Sequence, residues 1–571
     1  MTTVLSVHDL SVIYDSKDST PVRAVDKANF SLSQGDFIGL VGESGSGKST
    51  LGYALTRLSK PPARIESGQI IFDGVDIAGL SDKEVRTQRH GGFAMVLQAG
   101  MNALNPVRTV ENHFVDIFAA HGHISSPHRG ARARDLIAKV ELPSTVLSRY
   151  PGELSGGMRQ RVSIALALAL EPRLMVFDEP TTALDVLVQR AVMNTIRHLQ
   201  ETENFTAILI SHDLGLVLEA ADRVLVMHEG RIVEDGTSAR IQSDPQDPYT
   251  RMLLSHYGDP RASVVEVPGF QSSTPSSQPT ERKRNRVGYP SPDREIAEPL
   301  IVTNVTKTFP QRRSTNGVVH AVSEVSFTLP PGASLGLVGA SGSGKSTLAK
   351  MITGVEKPTT GSIMFGSTRV ENIRTRAQRK RLYAEIQMVF QDPYAALNPL
   401  HTVEYTLIRP VVNFTQCDKR EARNRVHELL ETVGLTPASR YLTRLPHQLS
   451  GGQRQRVVIA RALASNPSII IADEPVSMLD VTLRAGVLSL LKALQEERGV
   501  SMLYITHDLL SARMVTDTIM VLNQGQIVES GDTSQVLQNP SDPYTIQLLE
   551  AIPRLEALTS KQIPPSVRKN V

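Results

Sequence analysis

Short runs of consecutive apolar residues, separated by longer mixed stretches, recur along both halves of the chain. Runs of this length without polar alternation are typical of strands that are buried on both faces. Because helical stretches separate the runs, we predict parallel sheets covered by helices on both sides. The runs form three similar pairs: 37–41 (FIGLV) with 334–338 (SLGLV), 174–179 (LMVFDE) with 469–474 (IIIADE), and 206–213 (TAILISHD) with 501–508 (SMLYITHD).

The same succession of motifs occurs twice. Lys48 and Lys345 lie 297 positions apart, and three further pairs are each 295 positions apart: Ser155 with Ser450, Glu179 with Glu474, and His212 with His507. A nearly constant offset over four motifs indicates two copies of one domain, predicted at residues 1–260 and 298–553. Two copies are too few for a solenoid, which needs at least three short repeats.

The stretch between the two copies has a different composition. In residues 261–297, Pro, Ser, Thr and charged residues dominate, and no apolar period is visible. We interpret this stretch as a flexible linker. Its basic run at 281–286 is either a solvated charge cluster, the simpler interpretation, or a contact for acidic lipid or nucleic acid. Residues 554–571 are predicted to form a loose C-terminal tail.

Composition excludes several classes of protein. The 571 residues are too many for one core, whereas 40% hydrophobic and 21% charged residues are ordinary for a globular protein. A net charge of +3 gives little reason to expect a nucleic-acid partner. The single cysteine, Cys417, excludes an internal disulfide, a thiolate zinc site and a Cys₄ iron–sulfur cluster. We expect neither an N-terminal secretory signal nor a membrane span, since no stretch reaches ~18–20 uninterrupted apolar residues.

Two glycine-rich loops carry the first recognisable chemistry. Residues 42–50 (GESGSGKST) and 339–347 (GASGSGKST) both match G-x-x-x-x-G-K-[ST]. In this P-loop motif, backbone N–H groups surround nucleotide phosphates, the lysine reaches the terminal phosphates, and the Ser or Thr hydroxyl binds Mg²⁺. The predicted nucleotide-binding residues are Gly42, Ser44, Gly45, Ser46, Gly47, Lys48, Ser49 and Thr50, with Gly339, Ser341, Gly342, Ser343, Gly344, Lys345, Ser346 and Thr347.

An acidic pair follows each P-loop lysine at the end of an apolar run. Asp178-Glu179 and Asp473-Glu474 come 130 and 128 positions after Lys48 and Lys345. The Asp of such a pair is suited to hold Mg²⁺ and the Glu to polarise an attacking water. The alternative is an acid that only stabilises a helix N-terminus, and the preceding P-loop favours the catalytic interpretation.

A third motif is the most specific of all. LSGGMRQR at 154–161 and LSGGQRQR at 449–456 lie shortly before the acidic runs. Ser-Gly-Gly before a helix offers an N-cap hydroxyl and open backbone donors, which suit a phosphate. At these residues the chain resembles the ATP-binding cassette (ABC) ATPases, and the resemblance covers nearly all of both halves.

The resemblance implies an α/β fold with two tandem P-loop NTPase domains. Each would contain a RecA-like core, an antiparallel β subdomain and a helical subdomain, and the cofactors would be ATP and Mg²⁺. In the family, two ATP molecules are sandwiched between two such domains, so the two halves would form an intramolecular pair. Lys48, Ser49, Asp178 and Glu179 would then act with Ser450 and Gly452, and Lys345, Ser346, Asp473 and Glu474 with Ser155 and Gly157.

Further family motifs can be placed one residue at a time. Gln98 and Gln391 resemble the Q-loop glutamine, which contacts Mg²⁺ and the attacking water. His212 and His507 resemble the switch histidine, and Asp185 and Asp480 the D-loop aspartate. Tyr14 and Phe309 are the expected adenine-stacking aromatics. The predicted catalytic residues are Glu179, Glu474, His212, His507, Gln98 and Gln391; the predicted metal ligands are Ser49, Gln98, Asp178, Ser346, Gln391 and Asp473; and the predicted signature residues are Ser155, Gly156, Gly157, Ser450, Gly451 and Gly452.

The two halves are not identical. AGMNALNP follows Gln98, whereas DPYAALNP follows Gln391, and the D-loops also differ. Because every catalytic residue is present in both halves, we expect both sites to hydrolyse ATP and only the coupling faces to differ.

Recurring DPYT motifs at 247–250 and 542–545 make the chain similar to the oligopeptide/dipeptide importer ATPases. This implies a peripheral protein on the cytoplasmic side of the inner membrane that powers peptide uptake without touching the cargo or nucleic acid. Its partners would be two transmembrane permease subunits, received at insertions 99–150 and 392–446, and an extracytoplasmic substrate-binding protein. Alternatives are glutathione, nickel or oligosaccharide as cargo, or a soluble ABC translation factor, which the short Pro/Ser-rich linker disfavours.

Overall fold

The protein folds into two compact units, Met1–Tyr257 together with Ala551–Val571, and Gly258–Glu550. The computed structural model describes residues 2–15, 20–89, 91–98, 103–121, 124–182, 184–262, 265, 267, 268, 270, 298–310, 318–415 and 417–553. The basic run at 281–286, most of the predicted linker and the predicted tail at 554–571 therefore lie outside the described residues.

The first unit contains a four-stranded antiparallel sheet and a six-stranded sheet. In spatial order they are β2-β1-β4-β5 and β10-β9-β3-β8-β7-β6. Five strands of the larger sheet are parallel, and β10 pairs antiparallel with β9 at its edge. The strands are β1 (Thr3–Tyr14), β2 (Val22–Ser33), β3 (Phe37–Val41), β4 (Ala63–Phe72), β5 (Val75–Asp76), β6 (Phe93–Val96), β7 (Leu174–Asp178), β8 (Thr206–Ser211), β9 (Arg223–His228) and β10 (Arg231–Thr237).

Helices follow or separate these strands. The described α-helices of the first unit are α1 (Lys48–Leu55), α2 (Asp82–Arg89), α3 (Val110–His121), α4 (Arg129–Lys139), α5 (Gly156–Ala167), α6 (Val186–Glu203), α7 (Leu214–Ala220), α8 (Ser238–Ser243) and α9 (Pro248–Ser255). Short 3₁₀ turns lie at Ser126–His128, Ser144–Ser148, Pro151–Glu153 and Leu168–Leu170.

The second unit repeats this plan, with sheets β12-β11-β14-β15 and β16-β17-β18-β13-β19-β20. Its strands are β11 (Leu300–Pro310), β12 (Val318–Leu329), β13 (Ser334–Val338), β14 (Thr360–Phe365), β15 (Thr368–Arg369), β16 (Ile386–Val389), β17 (Ile469–Asp473), β18 (Ser501–Thr506), β19 (Thr518–Asn523) and β20 (Gln526–Asp532). Its α-helices are α10 (Lys345–Ile352), α11 (Arg376–Glu385), α12 (Pro393–Ala396), α13 (Val403–Phe414), α14 (Lys419–Thr432), α15 (Gly451–Leu463), α16 (Val481–Arg498), α17 (Leu509–Val515), α18 (Thr533–Gln538) and α19 (Pro543–Glu550), with 3₁₀ turns at Val370–Asn372, Ala438–Arg440 and Pro446–Gln448.

The central strands are buried at almost every position because both of their faces are covered. Along β7, Leu174 and Val176 belong to a core shared with the four-stranded sheet, whereas Met175 and Phe177 belong to the core on the helical side. Successive side chains of a strand point to opposite faces, so a strand buried on both sides needs an uninterrupted apolar run. The predicted parallel sheet is confirmed, and the antiparallel edge strands β10 and β20 are additions that the apolar runs did not indicate.

The stretch after α9 begins as packed chain. Arg261 donates from Nη1 to the carbonyl oxygen of Leu549 (3.0 Å), and Gln538 donates to that of Ala262 (3.3 Å). Val267 is buried in the helical-side core of the second unit, and Phe270 packs against that core. The compact units separate between Tyr257 and Gly258, so the described residues from 258 to 270 belong to the second unit. The sequence predicted a flexible linker beginning at residue 261. The described residues at its start are packed instead, because Val267 and Phe270 contact the core of the second unit.

In the part of the chain that the structure describes, no helix is both long enough and apolar enough to cross a bilayer.

Candidate nucleotide site

Four adjacent parallel strands of the first unit deliver the predicted motifs to one edge of the sheet. The spatial order is β3, β8, β7 and β6, and the carboxyl ends of parallel strands meet at the same edge. The P-loop follows β3, His212 follows β8, Asp178 ends β7, and Gln98 lies two residues beyond β6. The second unit has the same order of neighbouring strands, β13-β18-β17-β16.

The P-loop lysines are buried and engaged by the loop itself. Lys48 Nζ donates to the carbonyl oxygens of Gly42 (2.7 Å) and Glu43 (2.6 Å). Lys345 Nζ makes the same bonds to Gly339 (2.7 Å) and Ala340 (2.8 Å). Each ammonium group therefore stands at the centre of its loop, where it can exchange carbonyl partners for phosphate oxygens.

The loop conformation requires glycine at its last position. Gly47 and Gly344 have φ of 101° and 107°, which is a left-handed conformation that side chains disfavour. A Cβ at Gly47 would lie 2.1 Å from the carbonyl oxygen of Ala24, and one at Gly344 would lie 2.2 Å from that of Ala321. Only glycine allows the loop to approach the neighbouring backbone this closely, and this approach keeps the loop in the compact turn that an anion cradle needs.

The first carboxylate of each acidic pair lies beside the P-loop hydroxyl. Ser49 Oγ donates to Asp178 Oδ1 at 2.9 Å, whereas Asp178 Oδ2 is buried without a hydrogen-bond partner among the described residues. Burial and the charge of Glu179 outweigh the hydrogen bond from Ser49 and raise the pKa of Asp178 to about 6. Burial and the charge of Glu474 likewise raise the pKa of Asp473 to about 6.

The second carboxylate of each pair is held by the predicted glutamine and histidine. Gln98 Nε2 donates to Glu179 Oε2 (2.6 Å), and His212 Nδ1 lies 3.3 Å from Glu179 Oε1. In the second unit, Gln391 Nε2 donates to Glu474 Oε2 (2.7 Å), and His507 Nδ1 lies 2.9 Å from Glu474 Oε1. The structure thus brings together the predicted Gln, Glu and His in both units.

These contacts determine the ionisation of the second carboxylate. Burial alone would raise the pKa of Glu179, but the hydrogen bond and charge of His212 bring that pKa to about 2. His507 lowers the pKa of Glu474 in the same way, against the effect of burial. In return, Glu474 raises the pKa of His507, although burial of the ring acts in the opposite direction. Both glutamates are therefore ionised at neutral pH.

One residue at the first site was missed by the sequence reasoning. Thr182 Oγ1 donates to Glu179 Oε2 at 2.8 Å. The corresponding side chain in the second unit, Ser477, donates instead to the backbone carbonyl of Glu474 (3.0 Å). Both hydroxyls stand three positions after the glutamate, and this shared spacing was the available signal.

The signature serines start helices, as their sequence indicated. Ser155 Oγ accepts from the backbone N–H of Met158, and Ser450 Oγ from that of Gln453, each at 3.3 Å. Gly156 and Gly451 are the first residues of α5 and α15. Gly157 and Gly452 are buried, and a Cβ at Gly157 would lie 2.4 Å from Val188 Cγ1.

The D-loop aspartates precede helices, and the aromatic residues lie partly exposed at the ends of strands. Asp185 caps α6 by accepting from Val188 N at 3.1 Å, and Asp480 is the residue before α16. Tyr14 and Phe309 both expose 37% of their surface. Tyr14 Oη lies 3.2 Å from Thr50 Oγ1, and Lys307 Nζ lies 4.9 Å above the Phe309 ring. Ala183 of the first D-loop and residues 99–102 after Gln98 lie outside the described residues.

A comparison with known families shows to which family the chain belongs. The family described as "ABC transporter" matches residues 25–182 and 322–477. Together these segments make up more than half of the chain. The chain belongs to the ABC transporter family. Its two units are ABC ATPase cassettes, as the sequence predicted. The family described as "Oligopeptide/dipeptide transporter, C-terminal region" also matches, at residues 528–571.

Full-length relatives of this ABC ATPase carry the name "Glutathione import ATP-binding protein GsiA". The protein of that name from Pectobacterium atrosepticum is 39% identical, over 99% of this chain and 93% of the relative. The one from Escherichia coli K12 is also 39% identical, over 99% of this chain and 91% of the relative. Because the similarity runs through both cassettes, the fused arrangement is common to these ATPases.

Solved single cassettes are similar to parts of the chain. One is the bacterial ABC transporter cassette MJ0796 in dimeric form, with 33% identity and a TM-score of 0.38, covering 41% of this chain and 98% of the cassette. Another is cbiO1 from Clostridium perfringens, with 28% identity and a TM-score of 0.38, covering 42% of this chain and 90% of that protein.

Proposed function

We propose that this ABC ATPase hydrolyses ATP at both cassettes and thereby powers the import of peptides through separate membrane subunits. One observation carries the proposal: each unit holds an ionised glutamate between a Q-loop glutamine and a switch histidine, at the same sheet edge as the P-loop. A duplicated structural role would not require a glutamine and a histidine to converge on one carboxylate in both halves.

The first group of residues binds the nucleotide. Lys48 and Lys345 exchange their carbonyl partners for the terminal phosphates of ATP, and the loop N–H groups surround those phosphates. Tyr14 and Phe309, which are half exposed and stand at the ends of long strands, stack on adenine. The signature serines Ser155 and Ser450 complete the sites, each acting with the P-loop of the other half, as the family resemblance implies.

The donor set around the first carboxylate fits Mg²⁺. Oxygen ligands are preferred by this ion. Beside the Ser49 hydroxyl, Asp178 presents a buried oxygen that has no hydrogen-bond partner among the residues the structure describes. Ser49, Asp178 and Gln98 would hold the ion at the first site, and Ser346, Asp473 and Gln391 at the second. When bound, Mg²⁺ neutralises charge on the transferring phosphoryl group.

The glutamates orient the attacking water. In the described arrangement, Gln98, His212 and Thr182 occupy the oxygens of Glu179. Glu179 is ionised because its pKa is about 2, so it is ready to accept a hydrogen bond from water once one of these partners turns away. We propose that His212 turns to the γ-phosphate, which frees Glu179 Oε1 only when ATP is present. Glu474 and His507 act in the same way.

Exposed apolar residues support docking to membrane subunits. Val107 and Leu400 occupy equivalent positions after the ALNP motifs and expose 79% and 83% of their surface. Single exposed apolar side chains are ordinary, but their recurrence at the same position of both helical insertions favours a shared use. We propose that each insertion receives one permease subunit, at the cytoplasmic side of the inner membrane, and that an extracytoplasmic binding protein selects the cargo.

The proposed cargo is a peptide, and the names of the relatives support glutathione, itself a tripeptide, within that class. Nickel and oligosaccharide remain the alternatives from other importers of this group. Uptake of labelled glutathione, dipeptides and longer peptides into vesicles that contain the full complex decides among them. Uptake of nickel or an oligosaccharide without peptide uptake would contradict the cargo assignment.

Substitution of the two glutamates tests the hydrolytic role. Glu179→Gln and Glu474→Gln keep the hydrogen-bonding shape but remove the charge. General-base positions contribute ~10²–10⁴-fold to rate, so the double variant is expected to lose at least about 100-fold of ATP hydrolysis. Each single variant is expected to lose part of it. The control is Glu171→Gln, whose carboxylate is mostly exposed on the first unit. Full activity in the double variant would refute the proposal, and full activity in one single variant would refute hydrolysis at that site.

A further inference from the structure

The DPYT motifs contact the P-loops, a role that the proposed mechanism does not use. Tyr249 Oη accepts a hydrogen bond from the backbone N–H of Glu43 at 2.9 Å, although 206 positions separate them. Tyr544 Oη accepts from the backbone N–H of Ala340 at 2.8 Å, across 204 positions. The tyrosine and its contact thus occur in both units at the same place, the second residue of the P-loop.

The contact does not depend on the loop side chain. Position 43 is an acid and position 340 an alanine, yet both backbone N–H groups bond a tyrosine hydroxyl. What the two sites share is therefore the path of the backbone and the tyrosine. In the first unit Tyr249 is 8% exposed and its ring stacks on His228, with ring centroids 3.9 Å apart. A side chain held in this way offers its hydroxyl at a fixed point.

A carboxylate from the antiparallel edge strand, Glu234 of β10 or Glu529 of β20, holds the turn that carries each tyrosine. Glu234 accepts from the backbone N–H groups of Gln246 (2.8 Å) and Asp247 (3.1 Å), and Glu529 accepts from those of Ser541 (2.8 Å) and Asp542 (3.2 Å). The turn then starts a helix, because its aspartate accepts from the tyrosine N–H at 2.8 Å in both units. Both tyrosines are thereby placed by the start of their helix, and Tyr249 is also held by the packing of its ring on His228.

The residue that each tyrosine contacts also binds the P-loop lysine. The N–H of Glu43 is held by Tyr249, and the C=O of Glu43 accepts from Lys48 Nζ at 2.6 Å. The same relation links Tyr544, Ala340 and Lys345. A P-loop has no side chains at its glycines to keep its orientation, so contacts of this kind to its backbone set where the cradle and the lysine stand.

We propose that Tyr249 and Tyr544 are positioning residues that preorganise the P-loops for nucleotide through the backbone of Glu43 and Ala340. They link the last helix of each unit, α9 or α19, to the phosphate cradle of the same unit, and neither acts by touching ATP. The inference rests on the proposed nucleotide binding at these loops. Without the hydroxyl, the first peptide of the loop can rotate, and part of the binding free energy must be used to order it again.

The test removes only the hydroxyl groups, in the full chain. Tyr249→Phe is made in a Lys345→Ala background, so that only the first site binds, and Tyr544→Phe in a Lys48→Ala background. The control, Tyr441→Phe, changes a tyrosine of the second helical insertion that is as buried as Tyr249. A fluorescent ATP analogue with Mg²⁺ measures dissociation constants, steady-state kinetics gives KM and kcat, and thermal unfolding reports on the fold.

Loss of one neutral hydrogen bond corresponds to about a 2- to 12-fold change in an equilibrium constant. We expect the dissociation constant and KM to rise by that factor in each tyrosine variant, with kcat falling less than twofold and the control unchanged. Replacement of Tyr249 in the Lys48→Ala background, where its own site is disabled, is expected to leave the dissociation constant of the other site unchanged.

Two results would overturn the inference. The first is an unaltered nucleotide affinity in both tyrosine variants. The second is a loss of kcat and a lower melting temperature without any change in affinity, because this result would indicate a purely structural role. The lysine variants separate this failure from that of the proposed function. If Lys48→Ala and Lys345→Ala together leave nucleotide affinity unchanged, nucleotide binding at these loops is itself refuted.

Discussion

Replacement of the buried carboxylate at the first P-loop is expected to stabilise the nucleotide-free protein while it abolishes function at that site. Asp178 is 1% exposed, and one of its oxygens has no partner among the described residues. Its raised pKa shows that the ionised form is unfavourable in the absence of a metal ion. Asp178→Asn removes the charge and keeps the volume, so we expect a more stable protein that no longer hydrolyses ATP at this site.

The expected magnitude follows from the pKa. A change from 3.8 to about 6 lowers the free energy of unfolding by about 3 kcal/mol at neutral pH, since a tenfold change in proton affinity corresponds to about 1.4 kcal/mol. The folded protein binds this proton more tightly than the unfolded chain does. The destabilisation is therefore absent below about pH 4, reaches about half its size near pH 5, and is complete above about pH 7.

Calorimetry of the metal-free protein in EDTA, from pH 5 to pH 8, measures this difference. About 3 kcal/mol corresponds to a shift of about 6–12 °C in the melting temperature of a unit of this size. The transition of the first unit should rise in Asp178→Asn, more at pH 8 than at pH 5. Asp244→Asn, at an exposed position of the same unit, controls for loss of one negative charge. A lower melting temperature, or a difference that does not vary with pH, would refute the reasoning.

Three other substitutions probe separate features. Val267→Ala is expected to lower the free energy of unfolding of the second unit by about 2 kcal/mol, measured by chemical denaturation. The same change at exposed Val318 serves as a control, and equal effects would contradict packing of this segment. Tyr257→Phe removes a 2.8 Å hydrogen bond to Asp213, the residue after His212. Because the acceptor is a charged group, we expect the free energy of unfolding of the first unit to fall by about 1.5–3 kcal/mol. An unchanged melting curve would refute this expectation. Val107→Asp should reduce co-purification of the chain with its permease subunits about tenfold or more, whereas undiminished capture would argue against docking at this position.

Much of the fold was predictable because its signals are local. The run at 174–177 is apolar at each position, which indicates a strand covered on both faces. Gly47 followed by Lys48, after the apolar run at 37–41, predicts a phosphate-binding loop at the end of that strand. The antiparallel edge strand at Arg231–Thr237 was not predicted. It is half exposed along most of its length, so it lacks the uninterrupted apolar run that marks a central strand.

The start of the predicted linker shows the opposite case. Its composition of Pro, Ser and charged residues indicated an unpacked segment, and the isolated apolar residues Val267 and Phe270 carried no periodic signal. Their burial depends on an apolar surface formed by other parts of the second unit, which composition alone does not describe. For residues 271–297, the flexible linker remains a prediction.

The amino-acid sequence by itself determined the chemistry: two phosphate-binding loops, two acidic pairs and two signature motifs are contiguous patterns whose function depends on neighbouring residues. Only the tertiary structure decided which distant groups meet. Gln98 reaches Glu179 across 81 positions, and Tyr249 reaches Glu43 across 206. Such contacts depend on the order of the strands in the sheet and on the packing of the helices against it. Both arise from the whole chain folding together, and no single motif encodes them.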